Sequence, residues 1–176
     1  MKCCKYTTFF LSNFNDCDIM IHMKTKHTIL FIFILLVDQI TKLWISSNMN
    51  LFDSIPVIEN FFSITYVQNT GAAWSILEGS MIFFYFISIV AIICMLAFYK
   101  SSDCDEISAW GIALMLGGTF GNFLDRLRLQ YVVDFFDFDI FGYDFPVFNV
   151  ADIALCIGVG IIILSFILEG LRKNEA

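Results

Sequence analysis

Met81-Ile-Phe-Phe-Tyr-Phe-Ile-Ser-Ile-Val-Ala-Ile-Ile-Cys-Met-Leu-Ala-Phe-Tyr99 contains no charged residue and no helix breaker. The hydrocarbon core of a bilayer asks for about 20 consecutive, mostly apolar residues per helix, so this stretch reads as a membrane span. Three more mostly apolar runs lie around it, and the spans are expected at about 28–46, 81–99, 107–127 and 150–171. Of the 176 residues, 59% are hydrophobic and only 15% charged. A soluble domain of that length needs more charge to cover its surface. The expected fold class is therefore an all-α membrane protein with four transmembrane helices.

The formal net charge of −7 comes without a basic patch, which argues against a nucleic-acid partner. Basic residues are unevenly placed. Lys2, Lys5, Lys24 and Lys26 precede the first span, Lys100 joins spans two and three, and Arg172 and Lys173 follow span four. The loop 47–80 has neither Lys nor Arg, and the loop 128–149 has one Arg among several acids. Both termini are then expected in the cytoplasm and both long loops outside, as an even span number requires. The outer loop Ser54-Ile-Pro-Val-Ile-Glu-Asn-Phe-Phe-Ser-Ile-Thr-Tyr-Val-Gln68 is rich in β-branched and aromatic residues, which predicts short strands on or near the membrane surface. Asn69-Thr-Gly-Ala-Ala-Trp74 then supplies a turn and small residues before a short amphipathic segment.

Residues 1–22 show no clear periodicity and read as an N-terminal extension, with Met20 and Met23 as alternative starts. Residues 23–171 make the four-span domain, and 172–176 a cytoplasmic tail. The Lys-flanked first span carries Asp38 and Lys42 and lacks a small-residue cleavage site, so it reads as a retained helix rather than a signal peptide. The six cysteines form no CxxC pair and read as free thiols.

Ionisable residues at membrane depth are costly and call for a reason. Four groups stand out. Asp38 and Lys42, four apart, share a helix face and can pair, either as a functional support or as a snorkelling end-cap. The small residues of Asn69-Thr-Gly-Ala-Ala73 allow close backbone approach, or form an ordinary turn. In Gly117-Gly-Thr-Phe-Gly-Asn-Phe-Leu-Asp-Arg126, Gly117 and Gly121 permit tight helix packing, while Asn122, Asp125 and Arg126 share a face. Asp125 is expected to be satisfied by Arg126 as a scaffold pair. Finally, Val132-Val-Asp134-Phe135 and Phe148-Asn149-Val-Ala-Asp152 put two carboxylates at matched depth near the outer face. A lone Asp152 at a helix start is explained by the helix dipole, but two such acids flanked by apolar residues invite a chemical reading.

Peptide hydrolysis needs an activated water and a proton for the leaving amine. Close carboxylates supply both, because they cannot both ionise easily: one serves as base and the other keeps its proton. His22 and His27 lie on the inner side, which leaves no Ser-His or Cys-His arrangement near the outer loops and no H-E-x-x-H metal site.

Together, Asp38-Gln-x-Thr-Lys42, Asn69-x-Gly-Ala-Ala73, Gly121-Asn-x-x-Asp-Arg126, Val132-Val-Asp-Phe135 and Phe148-Asn-x-Ala-Asp152 resemble the signal peptidase II family, in order and in position relative to the spans. The resemblance implies a metal-independent, cofactor-free aspartic endopeptidase of the bacterial inner membrane. It would cut the signal peptide from diacylglyceryl-modified prolipoproteins before the lipidated cysteine, and be sensitive to globomycin-type cyclic peptides. Its partners would be those substrates and membrane lipids, and it would act as a monomer. Asp134 and Asp152 would be the catalytic pair. Asn69, Gly71, Asn122, Arg126 and Asn149 would bind or orient, with Asp38, Lys42 and Asp125 in support. Trp74 and Gln130 depart from the family pattern, where Phe and Gly are usual. A small proton-coupled transporter would need carboxylates along a route across the bilayer, whereas these cluster at one face. A presenilin-type protease would need a Gly-x-Gly-Asp motif that is missing, and a non-enzymatic assembly factor would not need two close aspartates.

Overall fold

The structure is a computed structural model that describes residues 23–71, 79–101 and 104–174. The expectations for residues 1–22, and for Ala72, Ala73, Trp74 and the amphipathic segment, fall outside them. The described residues form four long helices and one four-stranded antiparallel sheet, so the chain is an all-α membrane protein with a small β region. The helices are α1 (Thr25–Asn48), α2 (Met81–Lys100), α3 (Glu106–Leu129) and α4 (Val150–Asn174). Each is long and apolar enough to cross a bilayer. With 20 residues, the shortest spans about 30 Å. All but α2, which gains only Lys100, extend a few residues beyond the runs marked by hydrophobicity, because a helix need not stop where the hydrocarbon does. The strands are β1 (Ser54–Ile58), β2 (Phe62–Asn69), β3 (Val132–Ile140) and β4 (Tyr143–Phe148), paired in that order.

The centre of the bundle is α3, the most buried of the four helices. Its N-cap, Asp105, accepts from the Ser108 N–H at 2.7 Å, and Arg126 and Arg128 in its last turn complement the helix dipole. In lipid no hydrophobic force draws helices together, so close contact must. Gly117 and Gly121 receive Ile34 and the Asp38 carboxylate of α1, as their spacing predicts. A second set of small residues escaped the sequence reading: Gly111 lies against Gly158, and Gly118 against Ala151 of α4. The free thiols Cys94, Cys104 and Cys156 agree with the cysteine reading, and Cys3, Cys4 and Cys17 lie outside the described residues.

At the other end of the bundle from Glu106 and its ion-pair partners Lys24 and Lys26, the sheet closes over the helix ends. Strands β1 and β2 fulfil the expectation for the first loop. The β3–β4 hairpin was not foreseen. Cross-strand pairs sort by face: Ser63 pairs with Asp137 and Asp139 with Asp144, while Ile55 pairs with Ile64 and Phe62 with Phe138. Register shifts between Ile64 and Val67 and between Phe136 and Phe138 interrupt the alternation. They let Val133 and Phe135 join Tyr66, Ile45 and Met49 in a core, while Phe136 and Phe138 lie beside Phe148.

Substituting Gly118 by Val would drive a side chain into the Ala151 carbonyl. The expected loss is about 1–3 kcal/mol, read as a lower Tm of the detergent-purified protein, whereas Gly160→Val, with open space around it, should leave Tm nearly unchanged.

Candidate active site

Where the sheet meets the helices, Asp38, Lys42, Asn69, Gly71, Asn122, Asp125, Arg126, Asp134, Asn149 and Asp152 come into one hydrogen-bonded network. Asp38 and Lys42 lie on the inward face of α1, 0% and 3% exposed. Lys42 Nζ makes ion pairs with Asp38 Oδ2 and Asp125 Oδ2, both at 3.0 Å. Its third donor goes to Asn122 Oδ1 at 2.7 Å. The ammonium thus spends all three protons on protein, as a buried cation must. That burial does not fit a snorkelling end-cap, since a snorkelling lysine would keep its head in water.

The expectation that Asp125 pairs with Arg126 is corrected here. Neighbours on a helix point about 100° apart, and Asp125 turns inward to Lys42, to the Gln39 amide at 3.0 Å and to the Val133 N–H at 3.3 Å. Arg126 turns toward β2, where Nη2 donates to the Gly71 carbonyl at 3.1 Å and Nη1 to its own helix at Asn122 O. The Phe84 ring lies 4.7 Å from the guanidinium carbon.

The other lone pairs of Asp38 also have partners: Oδ1 accepts from the Ala151 N–H at 2.9 Å. That N–H belongs to the first turn of α4, which carries no intrahelical partner. Span one therefore fixes where span four starts, and with it Asp152. Asn149 caps the same helix: its Oδ1 accepts from the Asp152 N–H at 3.1 Å, and its own N–H donates to Asp152 Oδ2 at 3.1 Å.

Two acids remain, each held, among the described residues, by amides rather than by cations. Asp134, in β3 and 2% exposed, accepts from Asn149 Nδ2 at 2.6 Å and Asn69 Nδ2 at 2.9 Å. Asp152, half-buried, accepts from Asn122 Nδ2 at 2.8 Å. The amides are themselves fixed. Asn149 Nδ2 gives its second proton to Asn122 Oδ1 at 3.1 Å, and Asn69 Oδ1 accepts from the Gly71 N–H at 2.9 Å. Asn149 therefore touches both carboxylates. Burial, and after it the Asp152 charge, push the Asp134 carboxyl up to about 7, against the pull of its two amide donors. Such a pair shares its protons as a unit.

Among the described residues no group of three or more His, Cys, Asp and Glu side chains could hold a metal ion. His27 is buried at the opposite end, between Tyr99 and Glu106. Three residues in or beside the network were given no role from the sequence: Gln39, Tyr85 and Gln130. Gln39 had a signal, a polar side chain inside the Asp38-to-Lys42 motif. Tyr85 had none, being one aromatic among many.

Fold and site define a multi-pass membrane protein in which one asparagine bonds two amide-held carboxylates where a small sheet caps the helices. The chain belongs to the signal peptidase (SPase) II family, whose model matches residues 30–168, and is thus a protease of lipoprotein processing. Two solved structures are similar over most of their length. One, a bacterial membrane enzyme determined by the in meso method at 2.3 Å resolution, shares 41% identity over 86% of this chain and 93% of its own, with a TM-score of 0.80. Another bacterial membrane enzyme, determined by the same method at 1.9 Å, shares 42% identity over 80% of this chain and 92% of its own, with a TM-score of 0.73.

Replacing Lys42 by Met would leave Asp38 and Asp125 buried without their cation. The expected cost is about 3–5 kcal/mol, measured as a collapse of thermal stability in detergent, with Lys42→Arg retaining part of it.

Proposed function

We propose that this protease is an aspartic endopeptidase that removes the signal peptide from diacylglyceryl-modified prolipoproteins, cutting before the lipidated cysteine. The observation that carries the proposal is Asn149, whose side-chain amide donates to Asp134 and whose backbone N–H donates to Asp152. One residue that touches both acids supports a reading in which they share a water.

In that reading Asp152, the more accessible acid, is ionised and takes a proton from the water. The water oxygen bonds to the scissile carbonyl carbon. Asp134, deeper and held protonated by burial, gives its proton to the amine as the C–N bond breaks. The pair ends with its proton moved from one carboxyl to the other, and one water consumed. Asn69, Asn122 and Asn149 keep the carboxylates oriented without adding charge, and Arg126 and Gly71 line the approach for substrate backbone. Lys42, Asp38 and Asp125 support this arrangement from beneath. The lipid on the substrate cysteine would stay in the bilayer beside the helices. Lys24, Lys26 and Lys100 flank the helix ends away from the sheet, which supports cytoplasmic termini and a site at the outer face of the inner membrane.

The test uses a purified, diacylglyceryl-modified prolipoprotein with wild type, Asp134→Asn and Asp152→Asn, each with and without a globomycin-type cyclic peptide. Wild type should cut, the cyclic peptide should block it, and each Asn variant should lose roughly 10⁴-fold or more in kcat. Cutting by both Asn variants would refute the aspartic mechanism.

The pH profile of kcat/KM should be a bell. It rises on the acid side as the pair loses its first proton, and falls as pH passes about 7, where Asp134 gives up the proton the leaving amine needs. Stability carries the same signature. Between about pH 4 and 7 the folded protein holds a proton that the unfolded chain has lost, so Tm should decline as pH rises through that window.

A further inference from the structure

Gln130 stands at the end of α3 with φ 65° and ψ 17°, the left-handed region. A helix that ends this way is best served by Gly or Asn, because a larger side chain meets its own backbone there. Gln130 accepts that cost, and its side chain is engaged. Its Nε2 donates to the Tyr85 hydroxyl at 2.7 Å and to the Arg126 carbonyl at 3.2 Å. The Tyr85 hydroxyl in turn donates to the same Arg126 carbonyl at 2.9 Å. Phe84, the neighbour of Tyr85 on α2, lies against the Arg126 guanidinium. Arg126 is thus gripped twice by α2, at its carbonyl by Tyr85 and at its charged head by Phe84. That head holds the Gly71 carbonyl, two residues beyond Asn69, the donor to Asp134.

We propose that Tyr85 and Gln130 are a positioning pair that aims Arg126 at the Gly71 carbonyl and so sets how tightly the substrate backbone is held. The inference rests on the endopeptidase reading above, and adds two residues that touch neither substrate nor carboxylates. The pair acts through a main-chain carbonyl, so the loss of either partner reaches the site as a small displacement of Arg126. The Arg126 carbonyl also accepts from the Gln130 backbone N–H at 3.1 Å, so it keeps a partner and the fold survives that loss.

The variants are Tyr85→Phe, Gln130→Gly and the double variant, made in the full chain and assayed in detergent with the lipidated prolipoprotein. Gly at position 130 relieves the backbone conformation, so a mere helix cap would show an equal or higher Tm and unchanged kinetics. The positioning pair predicts that equal or higher Tm together with a KM raised roughly two- to tenfold, the worth of one uncharged hydrogen bond, and a kcat within about twofold of wild type. The double variant should be no worse than the more affected single one, because both remove the same link. An unchanged KM, a KM that rises only with a fallen Tm, or additive single effects would each overturn the proposal. Amide hydrogen exchange at Asn69 to Gly71 supplies a readout free of catalysis. It should quicken in Gln130→Gly, and unchanged exchange would overturn the pair even if wild type failed to cut the lipoprotein, a result that would count separately against the endopeptidase reading.

Discussion

The ammonium of Lys42 lies between Asp38, Asp125 and the Asn122 amide, with almost no access to solvent. An isolated charge could not stay there, and neither could the two carboxylates without it. Each of the three partners then does something further. Asp38 takes the Ala151 N–H and sets the start of α4, Asp125 takes the Val133 N–H and anchors β3, and Asn122 reaches Asp152. One buried cation on the first span thereby locates both strand and helix that deliver the acids of the candidate site. The arrangement explains why that span carries polar residues at a depth where they would otherwise be penalised.

Around the two acids themselves the chemistry changes. Among the described residues three asparagines contact them, and the Arg126 guanidinium is turned to a backbone carbonyl. Amides orient a carboxylate without committing it to the ionised form, whereas a bidentate arginine would hold it charged. A pair meant to share a proton needs the first kind of neighbour. Burial of Asp134 beneath the sheet then acts in the same direction, by making its charge costly.

The glycines of α3 let this network close. With side chains at Gly117 and Gly121, α1 could not approach closely enough for Asp38 and Lys42 to reach α3, and with one at Gly118, α4 would be displaced at Ala151. By contrast α2 buries little of its surface and meets the site chiefly through Phe84 and Tyr85. Its hold on Arg126 is correspondingly local.

Much of this was legible in the residues. Length and hydropathy of the mostly apolar runs determined four spans, because lipid offers no partner for an exposed backbone. Helical spacing determined that Asp38 faces Lys42 and that Gly117 and Gly121 share a packing face. The five motifs in order carried the family resemblance that the comparisons agree with. The β3–β4 hairpin was hidden, since Asp134, Asp137 and Asp139 interrupt the apolar run Val132–Ile140, and only pairing with β2 and β4 makes it a strand. Sequence proximity also misdirected Asp125 toward Arg126. Helix rotation and depth chose Lys42, more than eighty positions earlier. Local pattern determines which residues an element turns inward, because periodicity is a property of the chain itself. Which inward residues meet is decided only when helices from distant parts of the chain pack at a given rotation and height, and that choice made the site.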